Sequence, residues 1–436
     1  MMAKKSKFSD IINNKIIPFA MKIANFKFVG AIRDGFGSIL PLILTGSIFL
    51  IVINFPVLLH FDGTMAHIFG PEWSVKLNYA VNGTFNLMGL VAAMSIAYFY
   101  AKSWKLDPVG PAIANLAAFV VTIPATKDLG IPLSETGSLG LFVAMIFAYI
   151  SVRIFKFMSD HHVEIKMPET VPPAVAKSFS AMFPTIVVII ITWLVRLFVE
   201  AMNWGSINAI IQKVLGIPLM KVTGGYLGGL VYVLTVHLLW CVGIHGGNVA
   251  NSIMSPIFLA QLDQNRKAFA AHMALPNIIT DSFWVFVHIG GSGMLLALAL
   301  LMLWKSKSAQ NKEVAKLGIV PTIFSVNEPI MFGLPVIMNP IMLIPYVLSV
   351  VVAFTIAYFS MKFGIVPKTN GIVIHWTTPI FVSGYLATGS FRGVLLQLVN
   401  LLVSMGIYFP FFRKYDQTLY EQEQAKAMEK DMATTE

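Results

Sequence analysis

Gly318–Pro335 reads Gly-Ile-Val-Pro-Thr-Ile-Phe-Ser-Val-Asn-Glu-Pro-Ile-Met-Phe-Gly-Leu-Pro. The stretch is apolar enough for a bilayer, yet it holds three prolines and, in its middle, the charged residue Glu328. A continuous transmembrane helix accommodates neither feature well. Proline removes a backbone donor and clashes with the preceding turn, and a charge at membrane depth costs at least about 2.5 kcal/mol. Two half-helices, 319–326 and 330–337, meeting at a tip of Asn327, Glu328 and Pro329 reconcile these facts. Eight residues at about 1.5 Å each rise roughly 12 Å, under half of a ~30 Å hydrocarbon core. That is re-entrant geometry, tolerated only where the backbone is buried in protein or lines a cavity. Pro329 suits the first position of the outgoing half-helix, whose positive end favours the Glu328 carboxylate.

The rest of the chain is equally membrane-like. Of its 436 residues 56% are hydrophobic and 12% are charged. Nine stretches are long and apolar enough to cross a bilayer: 36–55, 85–101, 108–125, 137–155, 181–202, 223–242, 284–304, 340–360 and 391–412. The fold class is therefore an all-α polytopic membrane protein; a β-barrel would need short alternating segments. The net charge of +10 does not mark a nucleic-acid binder, because Lys and Arg gather in the loops between crossings. Lys4, Lys5, Lys7, Lys15, Lys22 and Lys27 against the single acid Asp10 place the amino terminus in the cytoplasm. With one cysteine, Cys241, the chain forms no intrachain disulfide and no cysteine-based metal site. No metal and no cofactor is expected.

In chain order, residues 1–28 put Phe8, Ile12, Ile16, Phe19, Ile23 and Phe26 on one face of an interfacial helix. Residues 29–202 hold five crossings. Between 203 and 222, Ile207, Ile210, Ile211, Val214 and Leu215 recur at helical spacing in a segment too short to span, which suits an interfacial linker between two membrane domains. The second domain is 223–412, and 413–436 is a cytoplasmic tail starting with Arg413 and Lys414. Gly224–Gly229 contains two overlapped GxxxG spacings, the mark of close helix packing. Loop charges alternate as the positive-inside rule requires until 223–242. After it, the basic loop of Lys305, Lys307, Lys312 and Lys316 falls on the wrong side. One further crossing within 250–283 repairs this, giving about ten transmembrane helices.

A second interrupted element begins Cys241-Val-Gly-Ile-His-Gly-Gly-Asn-Val-Ala-Asn-Ser252. Glycines flank His245, and Asn248 suits the N-cap of a new helix. The carboxy-terminal half thus carries two re-entrant hairpins, each with one ionisable residue at its tip, a recurrent way of aiming helix ends at a midplane site. A third interruption, 371–380, offers Trp376 as a flat apolar face of the kind that packs on the C–H face of a sugar. His237, His272, His288, His375 and Asp281 read as structural.

Gly-Ile-His-Gly-Gly-Asn at 243–248, Thr-Asp-Ser-Phe-Trp at 280–284 and Asn-Glu-Pro-Ile at 327–330, in this order, resemble motifs of phosphotransferase-system sugar permeases. The resemblance is to the IIC component of the lactose/cellobiose/N,N'-diacetylchitobiose family and covers essentially the whole chain. It implies a bacterial cytoplasmic-membrane protein with both termini inside, dimerising through the amino-terminal five helices. The carboxy-terminal half would hold one β-linked disaccharide and carry it by an elevator-like motion. The resemblance further implies a substrate site lined by His245, Gly246, Asn248, Asn327, Glu328 and Trp376, with His245 and Glu328 at the sugar's 6-hydroxyl. The phosphoryl group would come from the phosphocysteine of a separate IIB protein, with Glu328 as base. The chain would be only the membrane subunit of that enzyme complex. The alternative is a proton-coupled secondary sugar transporter using His245 and Glu328 as a proton relay.

Overall fold

The computed structural model describes residues 26–58, 62–124, 130–163, 170–241, 243–334 and 339–435, with 165, 167, 168 and 336. Among the described residues every regular element is helical, as the hydropathy requires. The amphipathic face assigned to residues 1–28 lies outside them except for Phe26–Phe28.

The first helices are α1 (Lys27–Leu58), α2 (Asp62–Phe69), α3 (Trp73–Asn82), α4 (Met88–Ser103), α5 (Val109–Thr122), α6 (Leu141–Asp160) and α7 (Pro173–Ala201). Next comes α8 (Ile207–Thr223), which contains a π turn at Gln212–Gly216. Then follow α9 (Tyr226–Cys241), α10 (Gly246–Ala270), α11 (Leu295–Lys305), α12 (Ala309–Ile323) and α13 (Glu328–Gly333). The chain ends with α14 (Pro340–Lys362), α15 (Val382–Thr388) and α16 (Phe391–Thr435). Six helical spans among the described residues are long and apolar enough to cross a membrane, and α5 and the 292–305 segment are shorter apolar pieces. Each of the nine stretches picked out by hydropathy contains one of these helices or α9. This is a polytopic membrane protein.

The chain separates into two compact units, one running up to Val222 together with Asn251–Asp263, the other Thr223–Ala250 together with Gln264 onward. In the first unit α4 packs between α1, α5 and α6. The contact surfaces are small: Ala92, Ala93, Ala97, Ala112, Ala118, Ala144 and Ala148 are fully buried, which lets backbones approach where no hydrophobic effect drives helices together. Polar side chains add interhelical bonds: the Asn115 amide donates to the Ala93 carbonyl at 2.7 Å, and the Ser151 hydroxyl donates to Asn115 Oδ1 at 3.0 Å. α8 is helical, as expected of 203–222.

In the second unit α14 and α16 pack on each other and on α9 and α11. Gly229 sits where a Cβ would lie 2.5 Å from both Ile279 and Phe354. One of the two GxxxG spacings is thus a close-packing position, as expected.

Two expectations need correction. The stretch 284–304 is not one helix: it is regular only from Leu295, because Gly290, Gly291 and Gly293 take φ of +72°, +85° and +79° and turn the chain back on itself. The incoming arm of the Gly318–Pro335 hairpin is α12, which starts at Ala309, well before residue 319, while α13 ends at Gly333. The last helix continues through 413–435, so the expected tail is helical. Within 250–283, where loop charge asks for one further crossing, lies most of α10, a helix of 25 residues that carries Asp263, Arg266 and Lys267 and is not among the six spans.

The irregular parts of the second unit are stitched by buried side chains. Gln397 Oε1 accepts the Phe381 and Gly384 N–H groups at 2.7 and 3.1 Å, while its Nε2 donates to the Val285 carbonyl and Ser383 hydroxyl, both at 2.9 Å. Replacing Gln397 with Leu strands these buried partners at about 1–3 kcal/mol for each one left unsatisfied. A lowered thermal transition of the detergent-solubilised protein, read by tryptophan fluorescence, is expected; an unchanged midpoint would count against this role.

Candidate substrate site at two helix breaks

The tip of the hairpin is where the sequence places it. After α12 the chain turns through Phe324 and Ser325, the latter at φ +62°, and α13 begins on Glu328 with Pro329 in its first positions. Its two arms pack through glycines: a Cβ on Gly318 would meet Ile330 at 2.3 Å, and one on Gly333 would meet Val314 at 2.6 Å. Asn327 is 5% exposed, and its Nδ2 donates to the Ser292 carbonyl at 2.7 Å. Gly291 makes this approach possible, since a Cβ there would lie 2.7 Å from the Asn327 amide group. The tip therefore rests on the Gly290–Gly293 bend, and that bend is held in turn by the Tyr408 hydroxyl, which donates to the Gly293 carbonyl at 2.6 Å. Glu328 itself is accessible.

The second break differs in one detail from the sequence reading. His245, not Asn248, caps the helix: α10 starts at Gly246, and His245 Nδ1 accepts the Asn248 N–H at 3.1 Å. An imidazole fits this position because its Nδ1 is placed as a short-range acceptor, as in a Ser or Asn cap. With Nδ1 used in this way, the proton of the neutral ring sits on Nε2, which makes the accessible His245 a donor toward an approaching oxygen. The Trp240 indole packs on the ring at 4.4 Å. Gly246 is buried with no room for a side chain, since a Cβ would meet the Val236 carbonyl at 1.9 Å. Its place is against α9, where it fixes the His245 turn.

Glu328 and His245, 83 residues apart in the sequence, stand at the two helix breaks, and both are accessible. A carboxylate that accepts and an imidazole that donates make a pair suited to one hydroxyl group: one removes its proton, the other holds its oxygen.

The third interruption is present as well. Residues 365–381 carry no regular helix, and Trp376 is 61% exposed on it beside the His375 ring at 5.7 Å. His375 Nδ1 and Thr377 Oγ1 are hydrogen-bonded at 2.6 Å. Upstream the segment is pinned by side chains whose role was not evident in the sequence. The Ser282 hydroxyl donates to the Ile372 carbonyl at 2.6 Å and accepts the Ile374 N–H at 3.2 Å. Thr280 and Thr369 share a hydroxyl–hydroxyl bond at 2.7 Å, and Asn265 Nδ2 donates to the Thr369 carbonyl at 2.9 Å. The Thr280–Trp284 motif therefore builds the support for the Trp376 segment. A trace of this was legible, in isolated Ser, Thr, Asn and Gln residues within apolar runs, but their partners were not.

A multi-helix membrane chain whose second unit surrounds broken helices with an acid, an imidazole and an indole is a permease in form. The family profile described as "Phosphotransferase system, EIIC" matches residues 33–350. The chain is 42% identical to the lichenan permease IIC component of Bacillus subtilis (strain 168), over 98% of both chains. It is 40% identical to the cellobiose-specific EIIC component of Geobacillus stearothermophilus, over 96% of each. Its fold matches the crystal structure of the transporter ChbC, the IIC component of the N,N'-diacetylchitobiose-specific phosphotransferase system, with a TM-score of 0.91 and 40% identity over 95% of this chain and 99% of that one. The chain belongs to the EIIC permeases of the sugar phosphotransferase system.

Asn327→Ala should loosen the tip without touching Glu328, because it removes the bond to the Ser292 carbonyl and leaves a buried acceptor, a cost of about 1–3 kcal/mol. Faster amide exchange over 324–330 is the expected readout, and exchange at the wild-type rate would show the contact to be dispensable.

Proposed function

We propose that this chain is the permease subunit for a β-linked disaccharide such as cellobiose, diacetylchitobiose or lactose, and that it presents the sugar's 6-hydroxyl for phosphorylation on the cytoplasmic face. The observation that carries the reading is that two accessible ionisable residues, Glu328 and His245, stand at the starts of α13 and α10, where two elements are interrupted. Of the sugars printed in the names of the relatives, cellobiose and diacetylchitobiose are β-linked disaccharides and lichenan is a β-linked glucan.

His245 Nε2–H holds the 6-hydroxyl oxygen while Glu328 removes its proton as the oxygen attacks phosphorus. Trp376 receives a sugar ring on its indole face, and Asn248 supplies polar contact from the first turn of α10. Asn327 and Gly246, both buried, set the two tips and line the site from behind. The phosphoryl donor is the phosphocysteine of a separate IIB protein. Both termini lie in the cytoplasm, residues 29–202 form the homodimer contact, and residues 223–412 move elevator-like with the bound sugar.

Membrane vesicles supplied with phosphorylated IIB and a panel of disaccharides should accumulate sugar phosphate. Accumulation of unmodified sugar that an uncoupler abolishes would instead establish the proton-coupled transporter, in which the same Glu328–His245 pair relays a proton. Glu328→Gln should retain sugar binding and lose about 100-fold or more in phosphorylation, the usual worth of a general base; undiminished turnover would remove Glu328 from the chemistry. Trp376→Ala should weaken sugar binding by roughly 1–3 kcal/mol, the worth of one large apolar side chain, and an unchanged Kd would place the indole outside the site.

A further inference from the structure

Glu328 follows the turn at the far end of α12, and the near end of that helix is gripped. α12 is 15 residues long, about 22 Å at the helical rise. A helix start normally leaves its first N–H groups to water or a cap. Here five consecutive backbone N–H groups are taken within the protein. Asp416 of α16 accepts from Lys307 N at 2.6 Å and Ser308 N at 3.3 Å, and Glu423, two turns further along α16, accepts from Ala309 N at 3.0 Å and Gln310 N at 3.1 Å. The Ser308 hydroxyl accepts from Asn311 N at 3.2 Å. Side chains complete the grip: the Ser306 hydroxyl and Asn311 Nδ2 donate to Asp416, and the Ser308 hydroxyl donates to Glu423 at 2.6 Å. Asp416 is 3% exposed, and what its burial costs is offset by these donors. Two carboxylates at the positive end of a helix are also favoured by its dipole.

We infer that Asp416 and Glu423 are positioning residues for Glu328: by clamping the base of α12 to α16 they fix the height and direction of the hairpin tip. The chain of contacts is continuous. The clamp fixes the start of α12, Gly318 and Gly333 lock α12 to α13, and Glu328 is the first residue of α13. The clamp lies in the basic stretch of Lys305, Lys307, Lys312 and Lys316, which is the cytoplasmic end in the proposed topology. The inference rests on the proposed role of Glu328, and one arm of its test does not.

The test uses the full chain in nanodiscs with Asp416→Asn, Glu423→Gln and Lys312→Ala, the last removing an exposed side chain of α12 that takes no part in the bonds named above. Amide exchange should speed up about tenfold or more in Asp416→Asn and Glu423→Gln, both over 309–311 and at the tip, 324–328. With phosphorylated IIB and cellobiose, kcat should fall five- to twentyfold while the cellobiose Kd stays within twofold, and Lys312→Ala should match wild type in both. Faster exchange confined to 309–311 would reduce the clamp to a local cap and overturn the inference. So would an unchanged kcat in Glu423→Gln, or an equal loss in Lys312→Ala. Should wild type itself make no sugar phosphate from any disaccharide, the functional reading fails, and the exchange measurement still decides the clamp.

Discussion

A backbone N–H or C=O that leaves helical geometry inside a bilayer must find a partner within the protein, because hydrocarbon offers none. The second unit of this permease is built around that constraint. It breaks its helices near 243–245, 287–294, 324–327 and 363–381, and at most of these breaks a buried side chain takes up backbone groups that a helix would have satisfied. Gln397 serves two chain segments at once, Asn400 donates to the Phe286 and Ala353 carbonyls at 2.8 and 3.2 Å, and Asn370 donates to the Leu386 carbonyl at 2.9 Å while accepting the Ile372 N–H at 3.1 Å. In the first unit α4 packs on its neighbours through small residues.

The breaks are stacked in a definite order. Tyr408 and Ser349 hold the Gly293 carbonyl, the Gly290–Gly293 bend receives Asn327, and Asn327 precedes Glu328. Each contact depends on the absence of a side chain at a glycine, most sharply at Gly293, where a Cβ would lie 2.1 Å from the Tyr346 ring. The charged residue is left accessible at the end of a supported column. A carboxylate carried on a loosely held loop would lose the orientation that general-base chemistry demands.

The helical class, the nine apolar stretches and the hairpin tip at Asn327–Pro329 could all be read from residue order, because proline and a buried charge have only a few structural outcomes in a membrane. The α10 helix was reachable through loop charge although its hydropathy is weak. The 284–304 stretch misled: its apolar content suggested one helix, and the Gly-Gly-Ser-Gly at 290–293 weighs little in an average although it decides the backbone. The cap at the second break was assigned to Asn248 by type preference, whereas His245 takes it because the turn aims its Nδ1 at the helix start.

Sequence by itself determined that this chain lives in a membrane, where its helices must break, and which ionisable residues stand at the breaks. Those are local matters, settled by hydrophobicity, by proline and glycine, and by the cost of charge in hydrocarbon. Only the tertiary structure decided that Asn327 reaches the Ser292 carbonyl, that Gly246 packs against α9, and that Asp416 and Glu423 reach back to the start of α12. The Asn327 and clamp pairings join residues dozens to more than a hundred positions apart, and no local preference specifies a partner at that range.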